Sequence, residues 1–221
     1  MCHDPPVPLE SVTSDSPGTL DPTLRETLRR LIEEGREVWA RFDRDVRHHR
    51  WHPFVPAEYD RVLEVLVGLR EPGLRFLEWG SATGVITIMA DLLGYEAYGI
   101  ELDERLVETA VETAARYRSK ARFVVGSFLP EGFRWGPRDG DGRLGTVGEG
   151  ASGYLVLGRP LEDFRLVFAY PWGGEEGLMS DLMRVHGAPN AGLLLQRVSG
   201  DVDLLRRGKV ERTWSARAPT P

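Results

Sequence analysis

Apolar positions first recur at helical spacing. Leu24, Leu28, Leu31 and Ile32 follow Asp21-Pro22, and Val38, Phe42 and Val46 carry the stripe past Gly35. Asp21 is placed to cap the first free N–H groups, and the fixed φ of Pro22 suits a first helical turn. A second helix is predicted from Pro56, with Tyr59, Val62, Leu63, Leu66 and Leu69 on its apolar face and Glu71-Pro72-Gly73 closing it. From Arg75 the pattern changes to short apolar runs alternating with amphipathic helices, the signature of a parallel sheet with crossover helices. The predicted strands are 75–79, 97–101, 122–125, 165–170 and 192–198, with helices over 85–93, 104–117 and 176–186. Gly94 and Gly187 are placed as left-handed C-terminal caps. Residues 201–206 and 210–214, joined through Arg207-Gly208-Lys209, read as a terminal hairpin.

The expected fold is therefore α/β, a doubly wound, mostly parallel sheet, in one domain over 21–221. Residues 21–70 form N-terminal cap helices, 75–198 the core and 201–214 a C-terminal β-hairpin. Two stretches fall outside this order. Residues 1–20, with Pro5, Pro6, Pro8 and Pro17, hold too little apolar content to offset ordering entropy and read as a flexible tail. Residues 132–160, with Gly140, Gly142, Gly145, Gly148, Gly150 and Gly153, read as a mobile insertion between the third and fourth strands.

Composition narrows the function. Against 28 Lys+Arg stand 34 Asp+Glu, a net charge of −6, which disfavours a protein built to coat nucleic acid or anionic lipid. No apolar run reaches the roughly 18 residues of a membrane span, and the first ten residues lack the pattern of a signal peptide, so a soluble cytoplasmic protein is expected. One cysteine, Cys2, allows neither an internal disulfide nor a zinc-thiolate cage.

The chemistry concentrates in Phe76-Leu77-Glu78-Trp79-Gly80-Ser81-Ala82-Thr83-Gly84, an apolar strand ending in an acid and a glycine turn that opens a helix. In a doubly wound sheet such a turn lies at the carboxyl edge, where ligands bind. Gly80 and Gly84 let a ligand approach the backbone, and Glu101, ending the second strand, puts a carboxylate where ribose hydroxyls could donate to it. The spacing Gly80-x-x-x-Gly84 departs from the G-x-G-x-x-G that brings a pyrophosphate to a helix N-terminus. Glu78 before the turn would repel a pyrophosphate but suits a cationic nucleoside.

At these residues the chain resembles the class I S-adenosylmethionine-dependent methyltransferases, whose first motif reads acid-x-Gly-x-Gly-x-Gly after the first strand. The resemblance covers roughly residues 75–198 and implies S-adenosyl-L-methionine as cofactor and a Rossmann-like methyltransferase fold. It places Glu78, Gly80, Ser81, Ala82 and Gly84 at the methionine portion, Glu101 and Leu102 at the ribose, and Gly126, Ser127 and Phe128 beside the adenine. Ala82 replaces the middle glycine, a mild change if φ there is negative. Ser127 stands where many members carry an acid accepting from the adenine amino group, so a hydroxyl or a backbone group must do that work, and Phe128 is a stacking candidate.

In the family the end of the fourth strand faces the methyl group. Enzymes that modify base amino groups carry Asp, Asn or Ser, then Pro, Pro and an aromatic; here the residues are Ala169, Tyr170, Pro171 and Trp172. The missing polar residue and the acidic balance point to an acceptor that is a small molecule or a protein rather than nucleic acid. Catalytic candidates for accepting its proton are Tyr170, Glu175 and Glu176; the two acids equally suit a helix first turn. Trp79 and Trp172 read equally as core or pocket wall. Arg41, Arg44, Arg47 and Arg50, with His48, His49 and His52, read as a solvated face balanced by Asp43 and Asp45, or as an anion-binding face; no metal site is expected. The alternative functions are a non-catalytic S-adenosylmethionine-binding module serving a partner protein and a nucleotide-dependent oxidoreductase, which the turn spacing disfavours.

Overall fold

The computed structural model describes residues 20–46, 55–134, 150–171 and 174–215. A seven-stranded sheet in the order β3-β2-β1-β4-β5-β6-β7 forms its centre. The strands are β1 (Arg75–Trp79), β2 (Glu96–Glu101), β3 (Arg122–Val125), β4 (Leu166–Ala169), β5 (Gly192–Gln196), β6 (Val202–Arg206) and β7 (Lys209–Trp214). The first five run parallel; β6 is antiparallel to β5 and β7 to β6. Strand order reverses at β1, which has β2 on one side and β4 on the other, so the ligand crevice expected at a topological switch point opens at the carboxyl ends of β1 and β4.

Alternation along the strands divides the core into two layers. Phe76, Ala97, Phe168 and Leu194 point into a layer with α1 (Pro22–Val46), α2 (Tyr59–Gly68) and α3 (Val85–Leu92), which α4 (Glu104–Arg116) joins through Ala114. Leu77, Trp79, Tyr98, Ile100, Val167 and Leu193 point into the other, with α5 (Gly153–Leu157), a 3-10 turn (Leu161–Asp163) and α6 (Glu176–His186). The sheet is therefore doubly wound, as the alternation of elements predicts.

Helix starts follow their capping residues. Asp21 Oδ1 accepts from Thr23 N and Leu24 N at 2.9 and 3.1 Å, and Asp103 Oδ1 accepts from Arg105 N at 2.9 Å. The second helix starts three residues later than Pro56 predicts, because Glu58 N donates to Gln196 Oε1 at 3.0 Å and holds the preceding segment against the end of β5. Gly94 has φ +96°, as a left-handed cap requires. Gly187 does not: its φ is −79° and ψ 156°, and a Cβ there would lie 2.6 Å from Met183 O, so close approach to the helix end explains the glycine.

The Gly-rich stretch is corrected in part. Residues 135–149 and the tail 1–19 lie outside the described residues, but 150–160 is built into the fold. Ser127 N donates to Ala151 O and Gly153 N to Ser127 O, each at 2.8 Å, forming a parallel bridge that leads into α5. Gly126 and Gly153 serve this contact: a Cβ on Gly126 would lie 2.8 Å from Gly153 Cα, and one on Gly153 would lie 2.8 Å from Ile100 Cγ2. Among the described residues, no helix is long and apolar enough to cross a membrane.

Candidate functional site

The turn after β1 is pinned to β2 by its backbone. Gly80 N and Ser81 N both donate to Ile100 O, at 2.9 and 3.0 Å, and Gly84 N closes back on Ser81 O at 2.7 Å. Gly80 and Gly84 take φ of +68° and +79°, and so does Ala82, at +45°. The alanine is therefore not the mild replacement that a negative φ would make it, since a Cβ in the left-handed region is disfavoured by about 1–2 kcal/mol. Its N–H donates to Glu101 Oε2 at 2.9 Å, which holds the conformation. The two glycines have different work. A Cβ on Gly84 would lie 2.7 Å from both Ala110 Cβ and Phe123 Cζ, whereas one on Gly80 would meet nothing within 4 Å, leaving open space over the turn.

Glu78 is 5% exposed and bends toward the start of α3, where its Oε2 accepts from Thr87 N at 2.9 Å and Thr87 Oγ1 at 2.5 Å. It does the capping that Gly84, at the helix N-cap, has no side chain to do. Burial pushes its pKa up to about 8, against the pull of the Thr87 hydrogen bonds and with added repulsion from Glu101. Half-buried Glu101 accepts from Ala82 N, from Leu102 N at 2.7 Å and from Asp103 N at 3.0 Å, and burial still raises its pKa. Those three bonds leave one of a carboxylate's roughly four acceptor positions for a hydroxyl.

Beyond β3, Gly126 N donates to Glu101 O at 2.8 Å, placing the Gly126–Phe128 segment beside the acid. Ser127 Oγ accepts from Leu129 N at 3.1 Å. Ser152, across the bridge, has a buried hydroxyl with no hydrogen-bond partner, as does Ser81, whose side chain fills the space that Gly99 leaves on β2. Phe128 is buried and stacks on Trp79 at 5.4 Å, with Trp79 Nε1 donating to Tyr154 Oη at 2.8 Å. One face of Phe128 is thus taken, and Trp79 is core. Leu102 is half-buried against the incoming chain, 3.4 Å from where a Cβ on Gly150 would stand.

The segment 150–154 at this edge is what the sequence reading missed. Its signal was present: Ser152 as an N-cap, the apolar run Tyr154-Leu155-Val156-Leu157, and Gly158, which ends the helix with φ +62°.

At the end of β4, Tyr170 is half-buried against the layer of α1–α3. The acid pair splits: Glu175 turns inward and is 2% exposed, whereas Glu176 is exposed and accepts from Gly174 N at 3.2 Å. Trp172 lies outside the described residues, as do Arg47, His48, His49, Arg50 and His52. Arg41 and Arg44 are exposed on α1, and Asp43 faces inward.

A strand-order reversal at β1, an open glycine turn after it, and acids at the ends of β1 and β2 make this a Rossmann-like, doubly wound fold with a candidate ligand site at the carboxyl edge. No family model matches the chain. Over 77 residues it is 34% identical to ribosomal protein L11 methyltransferase of Thermus thermophilus, a match spanning 35% of this chain and 30% of that protein. The chain thus spans under a third of the length of the curated relative it matches. Among solved structures it is similar to an RNA methyltransferase from Salinibacter ruber in complex with S-adenosyl-L-homocysteine (16% identity, 64% of this chain and 76% of that one, TM-score 0.45). It is also similar to precorrin-6y C5,15-methyltransferase from Geobacter metallireducens (15% identity, 68% and 69%, TM-score 0.46) and to an S-adenosylmethionine-dependent methyltransferase from Thiobacillus denitrificans with S-adenosyl-L-homocysteine (20% identity, 70% and 53%, TM-score 0.43).

Proposed function

We propose that the chain is an S-adenosylmethionine-dependent methyltransferase whose cofactor lies across the carboxyl edge of β1, β2 and β3, with the acceptor over the end of β4. The observation that carries this reading is the open glycine turn between two acids, buried Glu78 just before it and half-buried Glu101 bonded to its Ala82 N. Two acids withdrawn from water, both with raised pKa, are poorly compensated alone and suit a cationic nucleoside with hydroxyls to donate. The orphan hydroxyl of Ser152 is a further polar group at this edge left for a ligand.

When bound, S-adenosylmethionine supplies an activated methyl carbon, whose bond to sulfur breaks as a bond to the acceptor forms, the electron pair staying on sulfur. The protein's part is orientation and exclusion of water. In this reading Glu101 receives a ribose hydroxyl, Glu78 faces the positive charge of the methionine portion, and Ser127, Phe128 and Leu102 flank the base. Tyr170 and Glu175 stand at the end of β4 to take the proton an acceptor releases; Glu176, turned outward, fits a helix-start role better. The acceptor is read as a small molecule or a protein, because the β4 end offers Ala169 where a polar residue would hold a base amino group.

Calorimetry with S-adenosylhomocysteine tests the site. Wild type should bind with micromolar affinity, and Glu101→Gln, which keeps the shape but removes the charge, should bind at least roughly tenfold more weakly. Equal affinities would remove the ribose assignment, and no binding by the wild type would remove the whole reading.

A further inference from the structure

The opposite, amino edge of the sheet carries a second concave surface. It is a cleft of about 500 Å³ between the end of α4 and the starts of β2 and β3, lined among others by Asp91, Glu96, Tyr98, Arg118, Lys120 and Arg122. Lys120 and Arg122, two apart on the chain leading into β3, share one side by strand period two, and Arg118, in the turn that ends α4, lines the same cleft. The carboxylates of the cleft do not neutralise them. Asp91 Oδ2 accepts from Ser119 Oγ at 2.7 Å and from Lys120 N at 2.8 Å, so it holds the backbone of this segment. Glu96 is shared by Arg75 at 2.9 Å and Arg159 at 3.2 Å, two cations on one acid. Arg118, Lys120 and Arg122 form no ion pair among the described residues; the Arg122 guanidinium lies 5.8 Å from the centre of the Tyr98 ring.

Arg118 adds a backbone observation. It follows the last turn of α4 with φ +53°, in the left-handed position where glycine is usual, with its N–H on Ala115 O and Ser119 N on Ala114 O. A cation is kept there against the local preference of the backbone. Three unpaired cations around one concavity, in a chain of net charge −6, form a local field opposite to that of the whole molecule.

We propose that this cleft binds a small phosphate-bearing ligand. Three cations exceed what a single carboxylate can satisfy, whereas phosphate offers multiple charge and acceptor oxygens only. The volume is in the range of small-molecule sites, about 300–1,000 Å³, and too small for a polymer groove. The site is independent of the methyl-transfer reading, being at the other end of the strands.

The test is calorimetric titration of the full chain with pyrophosphate at low salt. Saturable binding is expected, weakened at least roughly tenfold in Lys120→Gln/Arg122→Gln, with S-adenosylhomocysteine affinity unchanged. No saturable binding, or the same affinity in the double variant, overturns the proposal whatever the other site does. Orthophosphate and adenosine diphosphate as further probes separate the sources: pyrophosphate matching the nucleotide supports a site for phosphate alone, and a tighter nucleotide supports a nucleotide site. Arg118→Gly guards against a folding defect, because glycine relieves the left-handed strain. A raised melting temperature with weaker pyrophosphate binding supports the proposal, and unchanged binding overturns it.

Discussion

Glu78 stands just before the glycine turn, and its carboxylate turns to the start of α3. Its hydrogen bonds to Thr87 are structural, and they do not compensate its burial, which leaves its pKa near 8 instead of the usual 4.5. The consequence for stability has a definite sign. Between those two values the folded chain binds more protons at this position than the unfolded one, so stability falls as pH rises from about 4.5 to about 8 and levels off above. Glu101 is shifted in the same direction and steepens the fall, while Tyr59, beside Glu78, stays protonated throughout. Replacing Glu78 by Gln removes its share. Melting temperatures measured from pH 5 to pH 8 should therefore show Glu78→Gln gaining on wild type toward the alkaline end. A difference that is flat across the window would mean that Glu78 is charged in the folded state without any ligand. The identity of this acid and its place before the glycine turn were legible in the sequence. Its contact with Thr87 was not, because the bend of one side chain depends on a helix start that comes only with the fold. The same holds for Ala82, whose positive φ follows from the bond to Glu101 across the turn.

At the scale of elements, periodicity carried far because the central strands β1, β2, β4 and β5 are buried on both faces, as a sheet covered on both sides requires, whereas the edge strands β3 and β7 are more exposed. Strand and helix ends shifted by one to three residues where a long-range bond intervened, as Gln196 does before α2. Glycine was the ambiguous letter. Gly150 and Gly153 look like flexibility in one dimension and Gly126 like a cofactor contact, yet Gly126 and Gly153 let two backbones touch. That makes a prediction about α5. Alanine at 126 would put its Cβ 2.8 Å from Gly153 Cα and N and 2.9 Å from Ala151 O, all backbone atoms with no rotamer to change. Gly126→Ala should break the Ser127–Ser152 bridge and destabilise the chain by about 1–3 kcal/mol, the range for overpacking. Hydrogen exchange should accelerate first at Gly153 N and Ser127 N. Retained protection there would mean that 150–157 is held by Tyr154 and Leu157 in the core and not by the bridge.

Across the whole molecule, the N-terminal helices are joined to the candidate site through α3. The term cap suggests a lid over the carboxyl edge, but α1 and α2 lie in the helix layer beside the sheet, packed against α3. Their sequence shows the apolar stripe and not its partner, which is why the placement could not be read in advance. The tightest point is Gly35 of α1, where a Cβ would stand 2.5 Å from Val85 Cγ2 and 3.5 Å from Tyr59 Cε2. Val85 is the first residue of α3, directly after the turn that ends at Gly84, and a β-branched side chain in a helix has little choice of rotamer. A methyl group at 35 must therefore push the two helices apart or shift the start of α3, and with it the Thr87 groups that hold Glu78. Gly35→Ala should lower the urea midpoint by an amount equivalent to about 1–3 kcal/mol, with the denaturant slope unchanged. It should also weaken S-adenosylhomocysteine binding, although residue 35 lies outside the binding edge. Lost stability with full affinity would show that the displacement is absorbed by α1 alone, leaving the turn mechanically separate from the N-terminal helices.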